Sequence, residues 1–135
     1  MPSRTPSHRR TVDYLALMDP WPSSWAGADE DEPIGRDLVA VLRPFMLHLQ
    51  QKNLSPRTLR RHLDNLWLIG GETIRKLYDD DPALRAKPAS ELLLQAIAGG
   101  DAPLVHDLSE AEQTALDTTA RKLLRFLSAS NRSVQ

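Results

Sequence analysis

Lys52-Asn53-Leu54-Ser55-Pro56-Arg57-Thr58-Leu59-Arg60-Arg61-His62-Leu63-Asp64-Asn65-Leu66 is the stretch that decides the fold. Ser55 followed by Pro56 is helix-entry chemistry: a hydroxyl that accepts from a first-turn N–H, then a proline where its missing donor is not needed. From there Leu59, Leu63, Leu66 and Trp67 recur at helical spacing and predict one apolar face. Arg57, Arg60, Arg61 and Asp64 fall on the other faces, with Arg57 and Arg61 one turn apart and side by side. Together with Lys52 and His62 they set several cations beside a helix N-terminus, whose unpaired N–H groups already favour an anion.

Upstream, Leu38, Val41, Leu42, Phe45, Met46 and Leu49 follow the i, i+3, i+4 pattern of an amphipathic helix. Pro44 lies inside it and predicts a kink or a division, because it removes one backbone hydrogen bond. Downstream, Gly70 and Gly71 are each about 1 kcal/mol worse than Ala in a helix interior. They predict a turn or kink, after which residues 72–77 resume as a short helix carrying Ile74 and Leu77. Asp79, Asp80, Asp81 and Pro82 read as a solvated stop. Ser90 is expected to cap a helix over 91–98, ended by Gly99-Gly100-Asp101. Ser109 and Glu112 form a capping box. The helix it opens carries Ala115, Leu116, Ala120, Leu123, Leu124 and Leu127 on its core face, to about residue 128. No strand pattern competes with these. The expectation is an all-α domain over 35–128, a small bundle of four to five helices, with a frayed end at 129–135.

Residues 1–34 read as a largely irregular Pro/Ser-rich arm, with a helical turn or two at most over 12–18. Trp21 and Trp25 stand out there. Two indoles are costly to leave in water, so they either pin the arm onto the domain or bind a partner. The acids at 29–32 read as a solvated run.

The 135 residues hold 17 Lys and Arg against 18 Asp and Glu, a formal net charge of −1. That average hides segregation. Between 35 and 78, Arg36, Arg43, Lys52, Arg57, Arg60, Arg61, Arg75 and Lys76 face only Asp37, Asp64 and Glu72. Both flanks are acidic. Cysteine is absent, which removes disulfides and thiolate chemistry. His8, His48, His62 and His106 lack metal-ligand spacing, and neither Gly-Gly pair sits in a phosphate-loop context. No catalytic residue, metal or cofactor is therefore expected. No apolar run approaches the roughly 20 residues that span a bilayer, so the expectation is a soluble, cytoplasmic protein without a membrane partner.

The run Val41-Leu42-Arg43-Pro44-Phe45-Met46-Leu47-His48-Leu49, followed by the 52–66 stretch, resembles the N-terminal core-binding (SAM-like) domain of tyrosine recombinases and phage integrases. Leu54-Ser55-Pro56-Arg57-Thr58-Leu59-Arg60 is its most specific part; His62 stands where Tyr is common, and Gly70-Gly71 departs from the pattern. The resemblance implies a helical bundle that packs against duplex DNA and does no chemistry itself. In the family a catalytic domain follows. Here the residues after Tyr78 are needed for the bundle, and neither Tyr14 nor Tyr78 lies in a nucleophile motif. The implied role is a standalone DNA-binding module, accessory to recombination or to a mobile element. Lys52, Arg57, Arg60, Arg61 and His62 are the candidate contacts, joined by Arg9 and Arg10 of the arm. The alternative keeps the fold but recruits protein: Trp21, Trp25 and the acidic run would engage a separately encoded recombinase or a second copy. The acidic arm could also lie over the basic helix as a DNA mimic.

Overall fold

The computed structural model describes residues 12–79, 82–100, 102–103, 105 and 107–134. Among them there is no strand, and the chain is an all-α bundle. Two short helices, α1 (Tyr14–Leu17) and α2 (Trp21–Trp25), lead into α3 (Asp31–Gln50) and α4 (Pro56–Asp79). A 3₁₀ turn (Pro82–Ala86), α5 (Ala89–Ala96), a second 3₁₀ turn (Ala98–Gly100) and α6 (Glu110–Val134) complete it. The three long helices carry the core: Leu38, Leu42, Phe45, Met46 and Leu49 from α3, Leu63, Leu66, Ile69 and Ile74 from α4, and Leu116, Ala120 and Leu123 from α6 are all at most 3% exposed. Leu93 of α5 and Ile97 just after it join the same core.

Local chemistry sets the helix ends. Ser55 Oγ accepts from Thr58 N at 3.1 Å, so α4 starts where Ser-Pro places it. At α6 the capping box is reciprocal: Glu112 N donates to Ser109 Oγ at 3.1 Å and Ser109 N to Glu112 Oε1 at 2.9 Å. Helix α5 begins one residue before the expected Ser90 cap, with Pro88 at the N-cap and no side-chain hydrogen bond there. Gly99 and Gly100, at φ 89° and 88°, supply the left-handed turn that follows. The backbone of α6 continues to Val134, beyond the expected end near 128.

Pro44 does not divide α3, which is continuous from Asp31 to Gln50. Pro44 and Ala40, the residue whose carbonyl loses its donor, are both exposed, so water can replace the missing bond.

The expected break at Gly70-Gly71 is absent: α4 runs unbroken from Pro56 to Asp79. These glycines are a socket. A Cβ on Gly70 would lie 2.4 Å from Trp25 Cζ2 and 2.5 Å from Cη2, and one on Gly71 would lie 3.3 Å from Trp25 Cδ1. The indole takes the space that two side chains would fill. Trp25 Nε1 then donates to Trp67 O at 3.0 Å, and Trp67 Nε1 to Ser24 Oγ at 2.9 Å. Trp67, expected on the core face, is instead 39% exposed on its border beside α2.

The arm is also more ordered than expected over its described part. Tyr14, Met18 and Trp21 are buried members of the main core, and α3 begins at Asp31, four residues before the expected start of the domain at 35. Nor is the acidic run wholly solvated. Asp31 is fully buried, where its carboxylate accepts from Gly27 N (2.8 Å), Ala28 N (3.1 Å), Arg85 Nη1 (3.0 Å) and the Tyr78 hydroxyl. Burial alone would raise its pKa; the hydrogen bonds from Tyr78, Gly27, Arg85 and Ala28 outweigh that and hold it below the usual carboxylate value. The Arg85 guanidinium also lies over the Tyr78 ring, 5.0 Å from its centroid. Asp80 and Asp81 lie outside the described residues.

Candidate nucleic-acid interface

The first turns of α4 present their cations as the spacing predicts. Lys52, Arg57, Arg60 and Arg61 are all exposed. Arg60 forms a local ion pair, its Nε 3.1 Å from Asp64 Oδ1. The i, i+4 spacing favours that partner, and the pair, with both side chains more than 60% exposed, holds Arg60 only weakly.

His62 does not belong to the exposed set. It is 5% exposed, because it stands three residues after Leu59 and one before Leu63, on the buried side of the helix. Its Nδ1 lies 2.8 Å from Thr119 Oγ1, and Asn65 Nδ2 donates to the same hydroxyl at 2.9 Å, so this polar group joins α4 to α6. Burial, then the positive charges of Lys122 and Arg61, hold its pKa below the ordinary histidine value.

Two further cations, Lys122 and Arg125, lie outside the set expected from the sequence. Helix α6 carries Lys122 and Arg125 to the same face as α4. A groove of about 500 Å³ runs along Arg57, Arg60 and Arg61, with Asp64 and Glu112 also on its walls. It meets a cavity of about 260 Å³ that shares Arg61 and adds Lys122. That cavity meets a third hollow of about 220 Å³, which shares Lys122 and adds His48, Lys52 and Arg125. One basic strip thus crosses from α4 over α6 to the end of α3. Among the described residues, Lys52, Arg57, Arg61, Lys122 and Arg125 form no ion pair. Glu112 is engaged in the α6 cap. A signal for this existed: from 118 to 135 the sequence has Arg121, Lys122, Arg125 and Arg132 and no acid, but a count over the whole acidic flank conceals it.

Arg9 and Arg10 lie outside the described residues. Trp21 is 8% exposed within the core and packs on Trp25 with ring centroids 5.6 Å apart, so both indoles are largely used by their own domain. A separate cavity of about 250 Å³, whose walls include Leu77, Leu84, Leu92, Thr73 and Gln95, contains none of the candidate residues. Among the described residues no three His, Cys, Asp or Glu side chains gather as a metal site, and no helix is long and apolar enough to cross a membrane. Compared with protein-family models, curated proteins and solved structures, the chain matches none.

Proposed function

We propose that this protein is a non-catalytic DNA-binding module that grips the duplex backbone through the basic strip, in the manner the likeness to integrase core-binding domains implies, as an accessory to recombination. One observation carries the reading: five exposed or half-exposed cations line three neighbouring hollows that share Arg61 and Lys122, and none of the five forms an ion pair among the described residues. Phosphates suit such a strip, since point charges and guanidinium forks position a backbone without reading bases. The protein-recruiting alternative loses its main motive, because Trp21 and Trp25 are packed against their own domain.

If all five cations neutralise phosphates, log K falls against log salt with a slope of about −4.5, or about 500-fold in affinity between 50 and 200 mM. Fluorescence anisotropy with a labelled duplex measures it. Replacing Arg57 and Arg61 together by Ala should weaken binding and reduce the slope by about 1.8. Both side chains are exposed, so a circular dichroism melt should leave the fold unchanged. No association at low salt, or unaltered binding by the double variant, would refute the reading.

A further inference from the structure

We propose that the cavity between α4 and α6 is a phosphate subsite in which the buried His62 Nε2–H acts with Arg61 and Lys122 to hold a single phosphate group. The proposal deepens the backbone-binding reading and rests on it.

Three observations lead there. First, the cavity has a volume of about 260 Å³, and Thr58, Arg61, His62, Thr118 and Lys122 line it. Water occupies about 30 Å³ per molecule in the liquid, so the space exceeds what one phosphate group needs.

Second, the relative lengths of the hydrogen bonds around Thr119 support one His62 tautomer. The Thr119 hydroxyl has one hydrogen and two acceptors in range, His62 Nδ1 at 2.8 Å and Ala115 O at 3.3 Å. Asn65 Nδ2 also reaches Ala115 O, at 3.3 Å, so that carbonyl does not depend on Thr119. The hydroxyl hydrogen therefore goes to the nearer ring nitrogen, while Asn65 donates to Thr119 Oγ1 at 2.9 Å. The neutral ring is then the Nε2–H tautomer. That donor has no partner among the described residues, although the residue is 95% buried. A buried N–H in this condition is costly unless something enters the cavity to accept from it.

Third, the charges acting on the ring are all positive. Lys122 on α6 and Arg61 on α4 both depress its pKa, while Asn65 and Thr119 are neutral. An incoming anion would compensate both cations and accept from Nε2–H at once; a water would do only the second. Thr58 Oγ1, which accepts from Ser55 Oγ at 3.0 Å, has its own hydrogen left to donate.

The test uses the full chain, with the His62 imidazole followed by NMR during titration with inorganic phosphate at constant ionic strength. The expected result is a saturable shift of the His62 signals and a rise in its pKa as bound phosphate offsets Arg61 and Lys122. Lys122→Ala should abolish both. His62→Asn, which can retain the Thr119 contact but lacks the Nε2 donor, should weaken phosphate binding; should it fail to fold, Lys122→Ala carries the comparison. With duplex DNA as probe, Lys122→Ala should cost about tenfold more affinity than Arg125→Ala, which removes the same charge from the same face. Phosphate binding without duplex binding would support the subsite as one for free phosphate and overturn the backbone reading. Duplex binding with His62 signals that respond to neither probe would overturn the subsite and leave the backbone reading standing.

Discussion

Gly70→Ala sets two effects of known size against each other. In an exposed helix interior, Ala is better than Gly by about 1 kcal/mol, so propensity alone predicts a more stable protein. At this position the new Cβ would lie 2.4 Å from Trp25 Cζ2, well inside contact distance. The indole cannot simply swing away. Its Nε1 is bonded to Trp67 O at 3.0 Å, and its ring lies 5.6 Å from that of Trp21. Overpacking of this kind costs about 1–3 kcal/mol, and weakening the Nε1 hydrogen bond adds about 1. After subtracting the propensity gain, the net loss is about 2 kcal/mol, or roughly 8 °C in Tm for a chain of this length. Gly71→Ala meets Trp25 only at 3.3 Å and should be close to neutral. The decisive arm is the Trp25→Ala background, where the same Gly70→Ala change should stabilise by about 1 kcal/mol. Urea unfolding followed by far-UV circular dichroism gives all four corners of the cycle. If Gly70→Ala stabilises equally in both backgrounds, the indole is not seated in the glycine socket and the explanation of the unbroken α4 fails.

Asp31→Ala should cost about 3 kcal/mol in the same assay, the low end for breaking a buried pair, because Arg85 is 30% exposed and can rehydrate. The native carboxylate is held below its usual pKa, so its contribution is complete above about pH 4 and is lost as pH falls through the native value; the acid limb of stability should flatten in Asp31→Asn. His62 acts higher in pH. Its depressed native pKa means the unfolded chain takes up the proton first, so stability declines as pH falls from about 6.5 towards the native value. Lys122→Ala removes a like charge and should shrink that decline; an acid-side curve identical to wild type would count against the assignment.

Much of the bundle was legible because local rules and tertiary packing agree. Ser55 and Ser109 cap the helices they precede, and the Leu stripes of α3, α4 and α6 become the core. What was not legible depends on partners distant in sequence. Gly70-Gly71 reads as a break until Trp25, more than forty residues away, occupies the gap. Asp31 reads as one more solvated acid until Tyr78, at the end of α4, and Arg85, in the 3₁₀ turn after it, arrive. The same limit affects the candidate interface. Arg57, Arg60 and Arg61 could be read from one helix, whereas Lys122 and Arg125 join them only once α6 packs alongside. His62 reads as one of the exposed cations from its charged neighbours, whereas the 59, 62, 63, 66 spacing puts it on the buried side of α4.

The acidic flank ahead of α3 bears on whether the basic strip is covered. A DNA-mimicking arm would have to lay its carboxylates along Arg57 and Arg61. Over its described length the arm does something else. Asp13 caps α1 through Ala16 N at 3.0 Å, Asp19 pairs with Arg43, and Asp31 is buried against Arg85. Trp25 anchors α2 at Gly70, which at 1.5 Å per residue is about 20 Å along α4 from Arg57. Two of the arm's six acids, Asp19 and Asp31, are therefore spent on Arg43 and Arg85, cations that do not line the strip. A net charge of −1 is compatible with an open basic face because these opposite charges meet elsewhere in the fold. It follows that deleting residues 1–34 would not simply uncover a surface. It would take Tyr14, Met18 and Trp21 from the core and Asp31 from Arg85, so a change in DNA affinity after that deletion would report unfolding. Single charge reversals at the exposed acids Asp29 and Glu30 leave the core intact and isolate any electrostatic effect of the arm.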